Sequence, residues 1–370
     1  MIPAGFGTVA TTIPPGKSRN KAYVTIAAVA SLGSVLGNLA GGLIGGFLSY
    51  KWIFWILAIL AAFTTTCAVV ILSAPQLRTS NMRPEANGER NKLLAMDWLG
   101  AVIVSSSLLL LLVSLSEANV TGWATAWIPP LIVVSIIMLV AFTFWQRHLE
   151  NGSRRQPLLK VSMFKNIRFS AIFVLVGCFF ASFNSFVVFA TYFYQDYLYL
   201  SELETTLRFL PAGISGVLIS FVVSPALSRI RGFYILLVGL VCGIGSPFLL
   251  ALPAIPPETS YWAYGFPAMC LCFSAEIIWP VSSLFIAEEL PQENQALGGG
   301  LLQTANNVGR ALGLTIGTAV RTSIQGNNNG GYPGDADLLR GLRAAQWVNV
   351  GLAVTSTAIA LVFFHNLGRH

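Results

Sequence analysis

The stretch 31–55, SLGSVLGNLAGGLIGGFLSYKWIFW, decides how the rest of the chain is read. Six glycines, Gly33, Gly37, Gly41, Gly42, Gly45 and Gly46, fall within fourteen residues. The series Gly33/Gly37/Gly41/Gly45 and Gly42/Gly46 repeat every four residues, so on a helix they form smooth tracks. In water each such glycine costs a helix about 1 kcal/mol relative to alanine. In lipid the backbone has no alternative partner, so the helix persists and glycine becomes a contact surface. The stretch reads as a membrane helix that another helix approaches closely.

Composition agrees. Hydrophobic residues make up 55% of the 370-residue chain and charged residues 10%, with a mean hydropathy of +0.69. Soluble domains carry about 25% charged residues, so the fold class is an all-α integral membrane protein. The net charge of +7 does not point to nucleic acid, because the basic residues lie between apolar runs. All five cysteines, Cys67, Cys178, Cys242, Cys270 and Cys272, sit inside apolar runs and read as small core residues, not as disulfides or metal ligands. The apolar stub 1–12 is too short to cross a bilayer, and no signal peptide is read ahead of the first span.

Ten segments are long enough to span: 22–48, 52–74, 98–116, 127–146, 169–194, 207–228, 232–252, 261–287, 296–320 and 346–365. Trp52, Trp98, Trp127, Trp145, Tyr261, Trp262 and Trp347 flank them as interface aromatics. Sixteen of the 22 basic residues fall on one side, among them Lys17, Arg78, Arg90, Arg147, Arg155, Lys160, Arg168, Arg229 and Arg369. That side is expected to be the cytoplasm, with both termini inside. The outer loop 322–345 is read as a flexible GNNNGGYPG run followed by a short helical stretch, 335–345. A second glycine track, Gly309, Gly313 and Gly317, repeats the four-residue spacing of the first span and suggests two halves related by a repeat.

Enzyme motifs are lacking. The three histidines, His148, His365 and His370, assemble neither a zinc site nor a triad. Gly16-Lys17-Ser18 lacks the first glycine of a phosphate loop, since position 11 is Thr11. No cofactor is expected. Polar residues inside spans say more, because each costs free energy in lipid. Glu276 is the only acid deep in a span, and it reads either as a proton-binding group or as a neutral acid hydrogen-bonded between helices. Gln303, Asn306, Asn307 and Arg310 share one stripe of the ninth span, beside the glycine track, as a pathway-lining helix requires. Polar adhesion between helices is the alternative. Arg310 is the natural counter-charge for Glu276. Asn184 lies among Phe179, Phe180, Phe183, Phe186, Phe189, Tyr192, Phe193 and Tyr194, which either line an apolar pocket or simply pack. Asp97 reads as a helix N-cap. Asn119-Val120-Thr121 is an outward-facing glycosylation sequon on a loop too short for attachment.

These residues resemble the major facilitator superfamily, in particular the fungal fourteen-span drug:proton antiporter branch with aminotriazole-resistance-like members. Gly33-x-x-x-Gly37-Asn38-x-x-Gly41-Gly42 is similar to that superfamily's antiporter motif G-x-x-x-G-P-x-x-G-G, with Asn38 in place of the proline. Ile13–Asn20 resembles the link into that span and Lys51-Trp52-Ile53-Phe54 its exit. Asp97-Trp98-Leu99-Gly100, Phe209-Leu210-Pro211-Ala212-Gly213, Leu227–Gly232 and Leu290–Gly300 are similar to later landmarks in the same order. The resemblance covers essentially the whole chain.

What it implies is a major facilitator superfamily bundle corresponding to the family's spans five to fourteen, without the first three spans and most of the fourth. Residues 1–74 would then be a remnant of the N-terminal bundle, 75–168 two central linker spans, and 169–370 a six-helix C-terminal bundle. The implied function is proton-coupled efflux of a small apolar organic compound across the plasma or vacuolar membrane. The partners would be the lipid bilayer, the substrate and protons, with no nucleic acid. Glu276, Asn184, Gln303, Asn306, Asn307 and Arg310 would line the pathway, and Gly33, Gly37, Asn38, Gly41 and Gly42 would supply tight packing. The alternative is a shortened, non-transporting membrane protein.

Overall fold

A computed structural model describes residues 25, 29, 33, 37, 40–44, 49, 51–72, 97–122, 125–152, 157–252, 259–291, 294–325 and 336–365. Every regular element among them is helical. The order is α1 (Lys51–Leu72), α2 (Trp98–Thr121), α3 (Ile128–Glu150), α4 (Ile167–Tyr192), α5 (Glu202–Arg229), α6 (Gly232–Ala251), α7 (Tyr261–Cys270), α8 (Ser274–Glu289), α9 (Gln295–Gln325) and α10 (Ala336–Phe364). Eight segments of the described residues are long and apolar enough to cross a membrane. They are α1, α2, α3, α4 with its π-turn to Tyr197, α5, α6, the pair α7–α8 as one 29-residue run, and α10. The segment expected at 296–320 is the helix α9, but its glycines and polar stripe leave it less apolar than the others. The first expected span lies mostly outside the described residues, which are helical at 25, 29, 33, 37 and 40–44. Asn38 and the link 13–20 also lie outside them.

Two helices begin earlier than hydropathy suggests. α5 starts at Glu202, five residues before the expected 207, because Ser201 and Glu204 form a capping box that satisfies backbone donors in its polar first turn. α10 runs unbroken from Ala336, so the short outer helix and the last expected span are one 29-residue helix. Both extensions carry charged residues that hydropathy counts against a span, although a helix can continue past the hydrocarbon.

The core is centred on α4, which packs against α9, α10 and α8. α10 also packs on α6, and α7–α8 contacts α5 and α6. Phe169, Phe179, Phe186 and Phe189 of α4 are almost fully buried, as are Leu236 and Leu240 of α6 and Phe364 of α10. The glycine track of α9 lies on α4. A Cβ added to Gly309 would meet the Gly177 backbone at 3.0 Å (C) and 3.1 Å (Cα), and one on Gly313 the Ala181 backbone at 2.7 and 2.8 Å. At Gly317 it would meet Phe189 and the Ser185 hydroxyl. Gly177, Ala181 and Ser185 are themselves four residues apart, so two small-residue tracks face each other and the backbones approach closely. Ser185 Oγ donates to the Gly313 carbonyl at 3.3 Å, and Ser182 Oγ to the Asn349 carbonyl at 2.7 Å.

α2 and α3 form a hairpin whose α2 leans on α9, where Thr315 Oγ1 donates to the Leu115 carbonyl at 3.2 Å. Asp97 caps α2: its carboxylate accepts the Gly100 N–H at 2.9 Å. The same carboxylate accepts from Trp145 Nε1 at 3.1 Å and Gln146 Nε2 at 2.6 Å, which pins the start of α2 to the end of α3. The apolar window of α1 has no buried residue. The sequon residue Asn119 falls in the last turn of α2.

Candidate functional site

α7 and α8 form one span broken by a 3-10 turn, Leu271–Phe273. Pro267 and Pro280 remove backbone donors on either side of the break. The turn places Glu276 in the first turn of α8. Its neighbours Ala275 and Ile277 are buried.

A cavity of about 400 Å³ opens beside it, lined by Phe183, Asn184, Val187 and Val188 of α4, and Phe209, Ala212, Gly213 and Gly216 of α5. Cys272 of the 3-10 turn, Glu276 of α8 and Arg310 of α9 complete the lining. Three polar residues singled out in the sequence, Glu276, Asn184 and Arg310, therefore converge on one cavity from three helices. Asn184 Nδ2 donates to the Phe180 carbonyl of its own helix at 2.8 Å, which fixes the orientation of its amide. Gly216 makes room for the acid: a Cβ there would stand 3.2 Å from Glu276 Cγ. The result is a mostly apolar chamber carrying one carboxylate, one guanidinium and one amide, of a size that takes a small organic molecule.

Gln303, Asn306 and Asn307 are not among the lining residues. They continue the α9 stripe away from Arg310, with Gln303 about 10 Å further along the axis at 1.5 Å per residue. Asn307 and Arg310 are exposed, Gln303 and Asn306 half-buried. Of the eight aromatics around Asn184, Phe183 lines the cavity. Phe179, Phe186, Phe189 and Tyr194 are instead fully buried in helix packing. Among the antiporter-motif glycines, a Cβ on Gly33, Gly37 or Gly41 meets nothing described within 4 Å, whereas one on Gly42 would collide with the Thr206 side chain of α5. The α5 contribution, Phe209, Gly213 and Gly216, carries no polar signal, and its spacing of three to four residues was the available hint.

This is a multi-pass helical membrane protein with a largely apolar chamber between its helices, the architecture of a solute carrier. Residues 1–314 match the family model of the Major Facilitator Superfamily, and the chain belongs to that family. Its relatives are transporters, not enzymes. "Efflux pump terJ" of Aspergillus terreus is 29% identical over 98% of this chain and 66% of its own length. "Aminotriazole resistance protein" of Saccharomyces cerevisiae is 26% identical over 97% of this chain and 63% of that one. "Major facilitator superfamily multidrug transporter mdr3" of Aspergillus fumigatus is 23% identical over 98% and 58%. The chain thus spans just under two thirds of the length of the curated relatives it matches.

Proposed function

We propose that this protein is an efflux transporter that exchanges protons for a small, largely apolar organic compound, with Glu276 as the group that binds the proton or the substrate's charge. The observation that carries the reading is the convergence of Glu276, Arg310 and Asn184 on one otherwise apolar cavity. A carboxylate facing such a chamber can hold either a proton or the positive end of a guest, but not both at once, so the two compete for it. That competition couples the two movements: the guest loads as Glu276 gives up its proton, and reprotonation releases it. Phe183, Val187, Val188 and Phe209 supply the apolar contact, and Gln303, Asn306 and Asn307 extend a polar track from Arg310. The names of the relatives, efflux pumps and a multidrug transporter, support an outward-directed organic solute.

Alternating access follows from rocking of residues 169–370, a six-helix bundle, against residues 1–74, with 75–168 as central linker spans. Both termini are cytoplasmic and the membrane is the plasma membrane in this reading. The test is proton-driven efflux of a fluorescent drug from vesicles containing the full chain. Glu276→Gln abolishes dependence on the proton gradient, while His148→Ala, on the exposed end of α3, retains it. Unchanged coupling in Glu276→Gln, or no gradient-driven movement by the unaltered chain, overturns the reading.

A further inference from the structure

A second cavity of about 400 Å³ lies on the other face of α5, the face of Glu204, Arg208, Pro211 and Ile214, and is closed by Tyr261, Trp262 and Phe266 of α7. Its walls are apolar and its mouth is flanked by Trp262, 71% exposed, and Ile214, 48% exposed, on two membrane-crossing segments. The end nearest the start of α5 is polar. The Arg208 guanidinium sits 5.2 Å from the centroid of the Tyr194 ring and 5.1 Å from that of Tyr261. Tyr261 is itself held by its hydroxyl, which donates to the Arg208 carbonyl at 2.7 Å.

Both rings lie on one side of the guanidinium, their centroids 6.3 Å apart, and leave the rest of it to other partners. Among the described residues no carboxylate lies within 4 Å of it, the ion pairs being Arg168–Glu289 and Arg340–Asp337. A pinned arginine with open donors at the end of an apolar groove matches a phosphate, which takes two parallel N–H bonds. One helical turn earlier, Glu204 lines the same cavity, its Oε2 held by the Ser201 N–H at 3.0 Å and the Ser201 hydroxyl at 2.9 Å. The groove therefore offers a fixed positive and a fixed negative group at the capped end of α5, and an apolar channel leading away from them.

We propose that this groove binds one phospholipid with an amine-bearing headgroup: phosphate on Arg208, amine toward Glu204, one acyl chain along Ile214, Trp262 and Phe266. Charge complementarity selects the occupant. A purely anionic lipid meets Glu204, and a cationic amphiphile meets Arg208.

The full chain is reconstituted in nanodiscs of equal phosphatidylethanolamine and phosphatidylglycerol, and the lipid retained after extraction is read by native mass spectrometry. The unaltered protein retains the ethanolamine lipid preferentially. Arg208→Gln lowers retention at least tenfold, the loss of a charge-assisted, two-pronged contact; Arg208→Lys, which keeps the charge without the fork, falls between. Glu204→Gln preserves the capping box, since glutamine serves there, yet erases the headgroup preference. Arg340→Gln, at an exposed pair, changes nothing. Equal retention of both lipids by the unaltered protein, full retention by a folded Arg208→Gln, or displacement of the lipid by inorganic phosphate overturns the proposal.

Discussion

Gly313→Ala is the sharpest probe of the packing. The added Cβ would stand 2.7 Å from the Ala181 carbonyl carbon and 2.8 Å from its Cα, and closer still to its oxygen. Ordinary carbon contacts begin at about 3.5 Å, so α9 and α4 must part by about 0.7 Å or more. The obstacle is backbone, which cannot swing aside as a side-chain tip would. Parting also stretches the 3.3 Å bond from Ser185 Oγ to the Gly313 carbonyl beyond useful length. Overpacking of this kind costs about 1–3 kcal/mol, and the interhelical bond adds about 0.6 kcal/mol. Together they lower stability by roughly 1.6–3.6 kcal/mol. Thermal unfolding of the purified protein is followed with a thiol-reactive dye, which reports the rising exposure of its free cysteines, Cys272 being the buried one. Gly351→Ala on α10, where a Cβ meets nothing within 4 Å, is the control and is expected to be neutral or slightly stabilising. A Gly313→Ala midpoint equal to that of Gly351→Ala would refute the close approach of the two helices.

Three further outcomes follow from single contacts. Gly216→Ala places a Cβ 3.2 Å from Glu276 Cγ and so rotates the acid in its cavity; drug efflux falls severalfold with an altered pH profile, and the effect vanishes when Glu276→Gln is already present. Asp97→Ala removes the α2 cap and both links to α3, with the Gln146 amide left buried; the melting temperature falls by an amount corresponding to about 2–4 kcal/mol. Arg168→Gln breaks the ion pair with Glu289, but Arg168 is 48% exposed and Asn166 Nδ2 still donates to that carboxylate, so the same melt shifts by less than about 1 kcal/mol.

The membrane class was legible because lipid imposes it on composition: a helix that must lie in hydrocarbon shows it residue by residue, whatever it packs against. Local chemistry was legible for the same reason. The Asp97 cap depends on three residues of its own chain, and the structure shows the bond to Gly100. Helix ends were less so. The capping pair Ser201 and Glu204 stood in the sequence, but hydropathy discounts the polar turn it starts.

Partnership was not legible. Two glycine tracks have the same four-residue spacing, yet the one on α9 is matched by Gly177, Ala181 and Ser185 of α4, while Gly33, Gly37 and Gly41 meet no described atom within 4 Å. The polar residues divide in the same way. Glu276, Asn184 and Arg310 come from positions far apart in the chain and line one cavity, whereas Gln303 and Asn306, on the stripe of Arg310, do not. The sequence by itself determined what kind of solvent each helix tolerates, because transfer free energy is a property of the residues in the helix. Only the tertiary structure decided which faces meet, because contact depends on how helices are placed against one another, and a spacing of four leaves the partner unspecified.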